Sequence, residues 1–414
     1  MKIRFIYVFC ILALIFSLSA CGNSQEDTNN SDNEITTGTL QSEKDNSLGN
    51  ATNPQNSDTS QNTNVQTHTE TGSVDSSVFS GKVSGCYYAD DNMIIVAADK
   101  LYLYDTQNGK SIASVDISLQ DLYVQTYSDG YLIVGRESGG SSNGSFMTTE
   151  SGNGIKGYLL SKDFAIENTI SFDGLLGNDF VLSTAGVAIS DNGKKVAIGG
   201  LQGLYLYDTS TQKVSTILNY SKDGMVNSTQ ILTMESLAFT GDKNLVYVGT
   251  GTNSSNVGTG FSVYGTVSID NAKVSITKKA NYEVGEMQKG GNLLIMPQSL
   301  NKNNGTLLMF DTVSNSEKVM EFSNGDEGKD GIFCSQQGKY VATATLGDSS
   351  VTINIYDTAL GKVIHSETVK DNNSTYFFRV PQILILDGSN TCIVILGRGI
   401  SEVSTLITSF GFEG

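Results

Sequence analysis

Between residues 187 and 218 the chain passes through four short β-rich runs, each closed by a turn of Gly, Asn, Asp or Ser. The first run leads into the turn Ser190-Asp191-Asn192-Gly193, and the second is 196–198. A Gly-rich connection then gives 204–207, a turn opened by Asp208-Thr209, and a last run at 214–218. Runs of this length with this turn chemistry predict a four-stranded antiparallel meander. One meander alone cannot bury both of its faces. Copies must stack on one another, which constrains the chain more than any single motif does.

The copies are visible. Leu-Tyr-Leu-Tyr-Asp-Thr at 101–106 recurs at 204–209, with Leu-Leu-Met-Phe-Asp-Thr at 307–312 and Ile-Asn-Ile-Tyr-Asp-Thr at 353–358 as variants. Asp and Thr at these places read as turn caps accepting backbone N–H groups, with Gly109 or Gly361 in a left-handed conformation. Six units follow from residue 76 onward. The fourth is expected to use strands at 236–239, 245–249, 261–269 and 274–278, and the fifth to open with 284–287. A seventh unit has three strands only, at 383–386, 392–396 and 403–410. The β-like run 77–83 belongs to no unit. Added to the seventh, it would close a ring with a strand from each terminus and remove the open edges.

Composition agrees with an all-β chain. Gly is abundant (44 residues), Pro scarce (3) and Trp absent, and no helical periodicity follows the N-terminus. The formal charge is -17, with no basic block, which excludes nucleic-acid binding because that needs a concentrated positive surface. The acidity favours solubility and keeps the chain off anionic surfaces.

The N-terminus reads as a targeting segment. Lys2 and Arg4 form a positive start, residues 5–16 an apolar stretch, and Leu18-Ser19-Ala20-Cys21 a run of small residues ending in cysteine. This resembles a bacterial lipoprotein signal, residues 1–20, with its lipobox. The resemblance implies a diacylglyceryl group on the Cys21 thiol and cleavage before it. Two or three acyl chains hold a protein to a bilayer essentially permanently. The expected location is the extracytoplasmic face of the bacterial cell membrane. Residues 21–75 then form a disordered linker of Asn, Ser, Thr and Gln, with too few apolar residues for a core. Its mean reach is about 40 Å by random-coil scaling.

Ser190-Asp-Asn-Gly-Lys194 and Asp357-Thr-Ala-Leu-Gly-Lys362 resemble the turns of bacterial β-propellers of the YVTN and WD40-like kind. The resemblance spans residues 76–414 and implies seven blades, with six or eight also open because the repeat spacing varies. Such blades specify architecture rather than activity. The absence of Trp argues against a docked quinone cofactor.

Formal catalytic motifs do not survive their context. Gly140-Ser-Ser-Asn-Gly144 matches G-x-S-x-G but has no strand-to-helix turn and no His partner. Residues 152–157 match G-x-G-x-x-G but lead into a strand, so no helix N-terminus is there to cradle phosphate. The two His and the three later cysteines, Cys86, Cys334 and Cys392, lack zinc spacing. Acidic loop 324–331 departs from the EF-hand order and reads as a solvated turn. No catalytic residue, metal or cofactor is assigned, and the three thiols read as buried and free.

The mature chain has three arginines, Arg136, Arg379 and Arg398. All map to the propeller face that carries the connections between strands two and three and between blades. Three long connections, 136–156, 219–234 and 249–260, are expected on that face. Arg136 follows Leu-Ile-Val-Gly and Arg398 follows Val-Ile-Leu-Gly, so the three guanidinium groups are candidate donors to a carboxylate or phosphate ligand. The function expected is a membrane-anchored binding or scaffold module with a monomeric head and a protein, peptide or glycan ligand. The alternative is a propeller hydrolase of the lactonase type.

Overall fold

The computed structural model describes residues 78–414, apart from 91, 138–153, 173, 178, 182, 254–255, 276, 281–286, 298–305, 315, 323–329, 348–349, 371–380 and 399–403. The described chain is a seven-bladed β-propeller. Blade one comprises β1 (Gly85–Tyr88), β2 (Met93–Ala97), β3 (Leu101–Asp105) and β4 (Lys110–Val115). Blade two comprises β5 (Leu119–Tyr127), β6 (Gly130–Glu137), β7 (Ile155–Ser161) and β8 (Ile166–Ser171). Blade three, the unit that opens the sequence reading, has β9 (Val187–Ile189), β10 (Lys195–Gly199), β11 (Gly203–Asp208) and β12 (Lys213–Asn219).

Blade four is larger, with β13 (Gln230–Thr240), β14 (Asn244–Asn253), β15 (Asn256–Ser268), β16 (Lys273–Val274) and β17 (Thr277–Ala280). Blade five has β18 (Gln288–Gly290), β19 (Leu293–Pro297), β20 (Thr306–Asp311) and β21 (Ser316–Glu321). Blade six has β22 (Gly331–Cys334), β23 (Tyr340–Leu346), β24 (Ser350–Asp357) and β25 (Lys362–Lys370). Blade seven has β26 (Gln382–Leu386), β27 (Thr391–Arg398) and β28 (Ser404–Gly411). Within each sheet the strands pair antiparallel in chain order, β16 and β17 both lying against β15.

Burial follows position in the blade. Middle strands such as β3 and β10 face a neighbouring blade on either side and are apolar on both faces. Outermost strands splay toward water, and β4 alternates exposed and half-buried residues. Seven apolar clusters result, one at each seam between adjacent blades. The seam of blades seven and one unites Ile393, Ile395 and Ile407 with Cys86, Ile94 and Val96. Seven seams in a closed ring settle the count against six or eight.

The repeated Asp-Thr pair works as a double tie. Asp208 Oδ1 accepts the N–H groups of Ser210 (3.1 Å) and Thr211 (2.9 Å), as a turn cap should. The threonine acts differently from expectation: its hydroxyl donates. Thr209 Oγ1 donates to the Gly193 carbonyl at 3.1 Å, and Thr106, Thr312 and Thr358 do the same to Asn92, Asn292 and Gly338. Each of these four blades, one, three, five and six, thereby binds its third turn to its first. Gly109 and Gly361 take the left-handed conformation, both at φ 64.

Three expectations need correction. The segment 249–260 is not a loop, because β14 runs to Asn253 and β15 starts at Asn256. Its Gly and Thr residues find strand partners in β13, which starts six residues earlier than expected and passes a bulge between Met234 and Ser236. The first strand of blade five is 288–290 rather than 284–287. Residues 284–286 lie outside the described residues, and Met287 instead donates its N–H to Ser236 Oγ at 2.8 Å. Finally, 78–83 is irregular chain and not a strand, although Phe79 and Val83 are buried in the seam of blades seven and one.

Candidate functional site

The innermost strands of the seven blades surround a central channel of about 960 Å³. An innermost strand leaves one row of backbone N–H and C=O groups without a strand partner, facing that channel. Three glutamines answer part of this need across the seams. Gln125 Nε2 donates to Val187 C=O (3.0 Å) while its Oε1 accepts from Ile189 N–H (3.0 Å). Gln288 bridges in the same way to Ile332 C=O (2.7 Å) and Cys334 N–H (2.8 Å). Gln382 does so to Cys86, donating to its C=O (2.5 Å) and accepting from its N–H (2.9 Å). Each amide copies the donor and acceptor of a neighbouring strand.

The other seams are tied differently. Lys289 Nζ donates to Phe239 C=O of blade four at 2.8 Å and lies 3.9 Å from Asp191 of blade three. Burial within the channel wall lowers the Lys289 pKa, and Asp191 offsets part of that. Tyr88 of blade one reaches across blade seven: its hydroxyl accepts from Ile385 N–H and donates to Cys334 C=O of blade six, both at 2.8 Å. Burial pushes the Tyr88 hydroxyl well above the usual tyrosine range. Asp387 of blade seven holds Ser335 Oγ and Gln337 N–H of blade six, both at 2.7 Å. Asp242 accepts Asn192 N–H at 2.9 Å.

These ties cluster at the end of the channel where the turns between first and second strands emerge. Asp90, Asp191, Gln336 and Gln337 line it there, with Tyr87, Tyr123 and Phe333 along the wall. That is the opposite end of the blades from the one where β6 and β27 bring positions 136 and 398. Chemically, this end offers aromatic and apolar surface with a few fixed polar groups. The thiols are not nucleophiles: Cys86, Cys334 and Cys392 are free and buried, and burial pushes the Cys86 pKa up to about 12. Among the described residues, no three His, Cys, Asp or Glu side chains form a metal-holding group.

The arginines divide. Arg136 is the penultimate residue of β6, and its Nε pairs with Asp121 Oδ2 at 3.2 Å, Asp121 standing at the bulge of β5 with φ 50. Arg398 is the last residue of β27. Arg379 and Cys21 lie outside the described residues, as do 140–144 and 324–329. The apparent equivalence of the two Arg-ended runs fails on register. Leu132 and Val134 pack toward the next blade, blade three, whereas Val394 and Leu396 pack toward the preceding one, blade six. Strand alternation therefore puts positions 136 and 398 out of phase by one residue.

The inter-blade glutamines escaped the sequence reading, yet a signal existed. Each interrupts a short innermost-strand run, in Val-Gln-Thr-Tyr, Met-Gln-Lys-Gly and Pro-Gln-Ile-Leu. A lone amide among buried residues needs partners.

Comparison with solved structures agrees on the fold. The β-propeller domain of Cps50 (Swd1) from Myceliophteria thermophila is similar, with a TM-score of 0.53 and 10% identity over 83% of this chain and 99% of that one. KlHsv2 with its loop 6CD replaced by a Gly-Ser linker aligns at a TM-score of 0.46 and 10% identity, over 80% of this chain and 99% of that one. No protein-family model matches the chain, and no curated protein matches it in sequence.

Proposed function

We propose that this chain is a lipid-anchored binding module on the extracytoplasmic face of a bacterial membrane, its propeller head taking a protein, peptide or glycan ligand. The observation that carries the binding role is the channel. It is a preformed concavity whose wall is tied across the seams by Gln125, Gln288, Gln382, Tyr88 and Lys289. A site already rigid before binding avoids the entropic cost of ordering itself around a ligand. The opposite mouth, with Arg136, Arg379 and Arg398, is the part of the same proposal that would take an anionic group. The anchor rests on Leu18-Ser19-Ala20-Cys21 after its charged and apolar lead.

Two experiments test the halves separately. Cys21→Ser should leave the protein unprocessed or release it from the membrane fraction; normal processing with unchanged membrane retention would overturn the anchor. The soluble chain from residue 22 should retain a specific ligand from cell-envelope extract or on glycan and peptide arrays. Substituting Tyr87 and Tyr123 to Ala should weaken that retention at least tenfold, and unchanged affinity would remove the channel mouth from the reading.

A further inference from the structure

A ligand entering the channel as an extended strand would need a free row of backbone groups on an innermost strand. Much of that row is already occupied. On β9 and β22 the amides of Gln125 and Gln288 each take one C=O and one N–H. On β1, Gln382 takes both groups of Cys86. On β26, Ile385 donates its N–H to Tyr88 Oη, and its C=O accepts Gln336 N–H at 3.2 Å. On β13, Phe239 C=O is held by Lys289. Strand addition is obstructed on these five walls, so recognition falls to side chains.

At the end where the turns between first and second strands emerge, charge comes in opposite pairs. Asp191 stands 3.9 Å from Lys289, and Asp90 2.8 Å from Lys162. The Asp191 and Asp90 side chains are 58% and 51% exposed, so each keeps lone pairs open to a ligand. The paired charges cancel: an anion would face both carboxylates, and a cation both ammonium groups. A hydroxyl is donor and acceptor at once. Neighbouring sugar hydroxyls can donate to a carboxylate while accepting from the ammonium beside it. Tyr87, Tyr123 and Phe333 on the wall supply aromatic faces, on which the apolar C–H face of a sugar ring can lie. The channel volume of about 960 Å³ is at the large end of small-ligand sites, about 300–1,000 Å³, and admits more than one ring.

We infer that this end of the channel takes a neutral oligosaccharide, with its ring faces on Tyr87, Tyr123 and Phe333 and its hydroxyls between Asp191 and Lys289. This rests on the binding role proposed above and narrows its ligand from protein, peptide or glycan to an uncharged glycan. Asp191 is the acceptor of the site. Lys289 spends one of its three N–H donors on Phe239 C=O and offers another to a hydroxyl. Both groups are in place before the ligand arrives, so little ordering is needed on binding.

The chain from residue 22 is tested on an array of neutral hexose and N-acetylhexosamine oligosaccharides, with uronate-bearing and amine-bearing glycans and extended peptides beside them. Neutral glycans should be retained. Titration calorimetry with the best of them should give an affinity that changes less than about twofold between low and high salt, since no charge attraction is there to screen. Asp191→Asn should weaken it by about tenfold or more, the loss of a hydrogen bond to a charged group. The Asp191 side chain is more than half exposed, so this variant should fold as the parent does. Asp121→Asn, at the other end of the blades, should leave the affinity unchanged. Retention of charged glycans alone, or of peptides alone, overturns the inference; the binding role of the channel then survives if Tyr87→Ala with Tyr123→Ala still weakens that retention. No retention on either array overturns both. Unchanged affinity in Asp191→Asn also overturns the inference, because the glycan would then sit elsewhere.

Discussion

The side-chain amide of Gln382 grips the backbone of Cys86 at both its N–H and its C=O, across 296 residues of sequence and the seam where the ring closes. The same two-point grip occurs at Gln125 and Gln288, but only here does it join the last blade to the first. Replacing one partner leaves backbone groups at a partly buried seam without their bonds, which costs about 1–3 kcal/mol. Gln382→Met, close in volume, should therefore lower the unfolding free energy by about that amount in a urea titration. Gln125→Met and Gln288→Met should fall in the same range. A Gln382→Met protein as stable as the parent would show that water replaces the amide at no cost.

Turn geometry makes a second, opposite prediction. Gln212 stands at φ 56, in the place where Gly361 has φ 64, and both N–H groups donate to the capping aspartate's carbonyl at 2.8 Å. A residue with a Cβ is strained there, whereas glycine is not. Glycine also gives the unfolded chain more freedom, offsetting about 0.4–1 kcal/mol. Gln212→Gly should thus be neutral or stabilising by less than about 1 kcal/mol, while Gly361→Ala should destabilise by about 1 kcal/mol. Thermal melts of the two variants should move in different directions or differ clearly in size.

The strands were largely legible because their turns are chemically marked: Asp105-Thr106, Asp208-Thr209, Asp311-Thr312 and Asp357-Thr358 punctuate four blades. What failed to show was pairing that overrides composition. Gly249 and Gly251 look like loop residues, but they extend β14 because Met234 and Leu232 of β13 lie directly opposite. Phase was invisible too. Leu132-Ile-Val-Gly-Arg136 and Val394-Ile-Leu-Gly-Arg398 are near-copies in sequence, and only the seam each residue enters reveals the one-residue offset. The channel ties were hidden for a related reason, since Gln288 and Ile332 meet through ring geometry that no local pattern records.

That offset changes what the arginines should do. With Arg136 held by Asp121 and position 398 out of phase, the two side chains are expected to act independently. For an anionic ligand of the propeller, the losses from Arg136→Ala and Arg398→Ala should add in free energy to within about 0.5 kcal/mol in the double variant. Strong non-additivity would show that the pair shares one anion. Asp121→Asn should strengthen anion binding if Arg136 takes part, because it removes a carboxylate that competes for the guanidinium.

Alkaline pH gives the sharpest test of the buried seams. Cys86 is fully buried in the ring-closing seam, and its pKa rises from an ordinary 9.0 to about 12 because burial disfavours the thiolate. Cys334 and Cys392, equally buried, shift in the same direction, as does Tyr127, raised to about 12 by burial. In the folded protein these groups keep protons that the unfolded chain releases at their ordinary values. Their contribution to stability is thus complete below about pH 8.5 and is lost as pH rises toward 12. The urea midpoint should stay level from pH 7 to 8 and fall steadily above 9. Cys86→Ala, although less stable throughout from the lost packing, should show a shallower alkaline decline. The same burial protects the thiols from an aromatic disulfide reagent at pH 8: the head from residue 68 should titrate three thiols in denaturant and essentially none within minutes when native. Fast native reaction of even one would mean that its seam opens readily, and the ring would not be the rigid frame on which the channel depends.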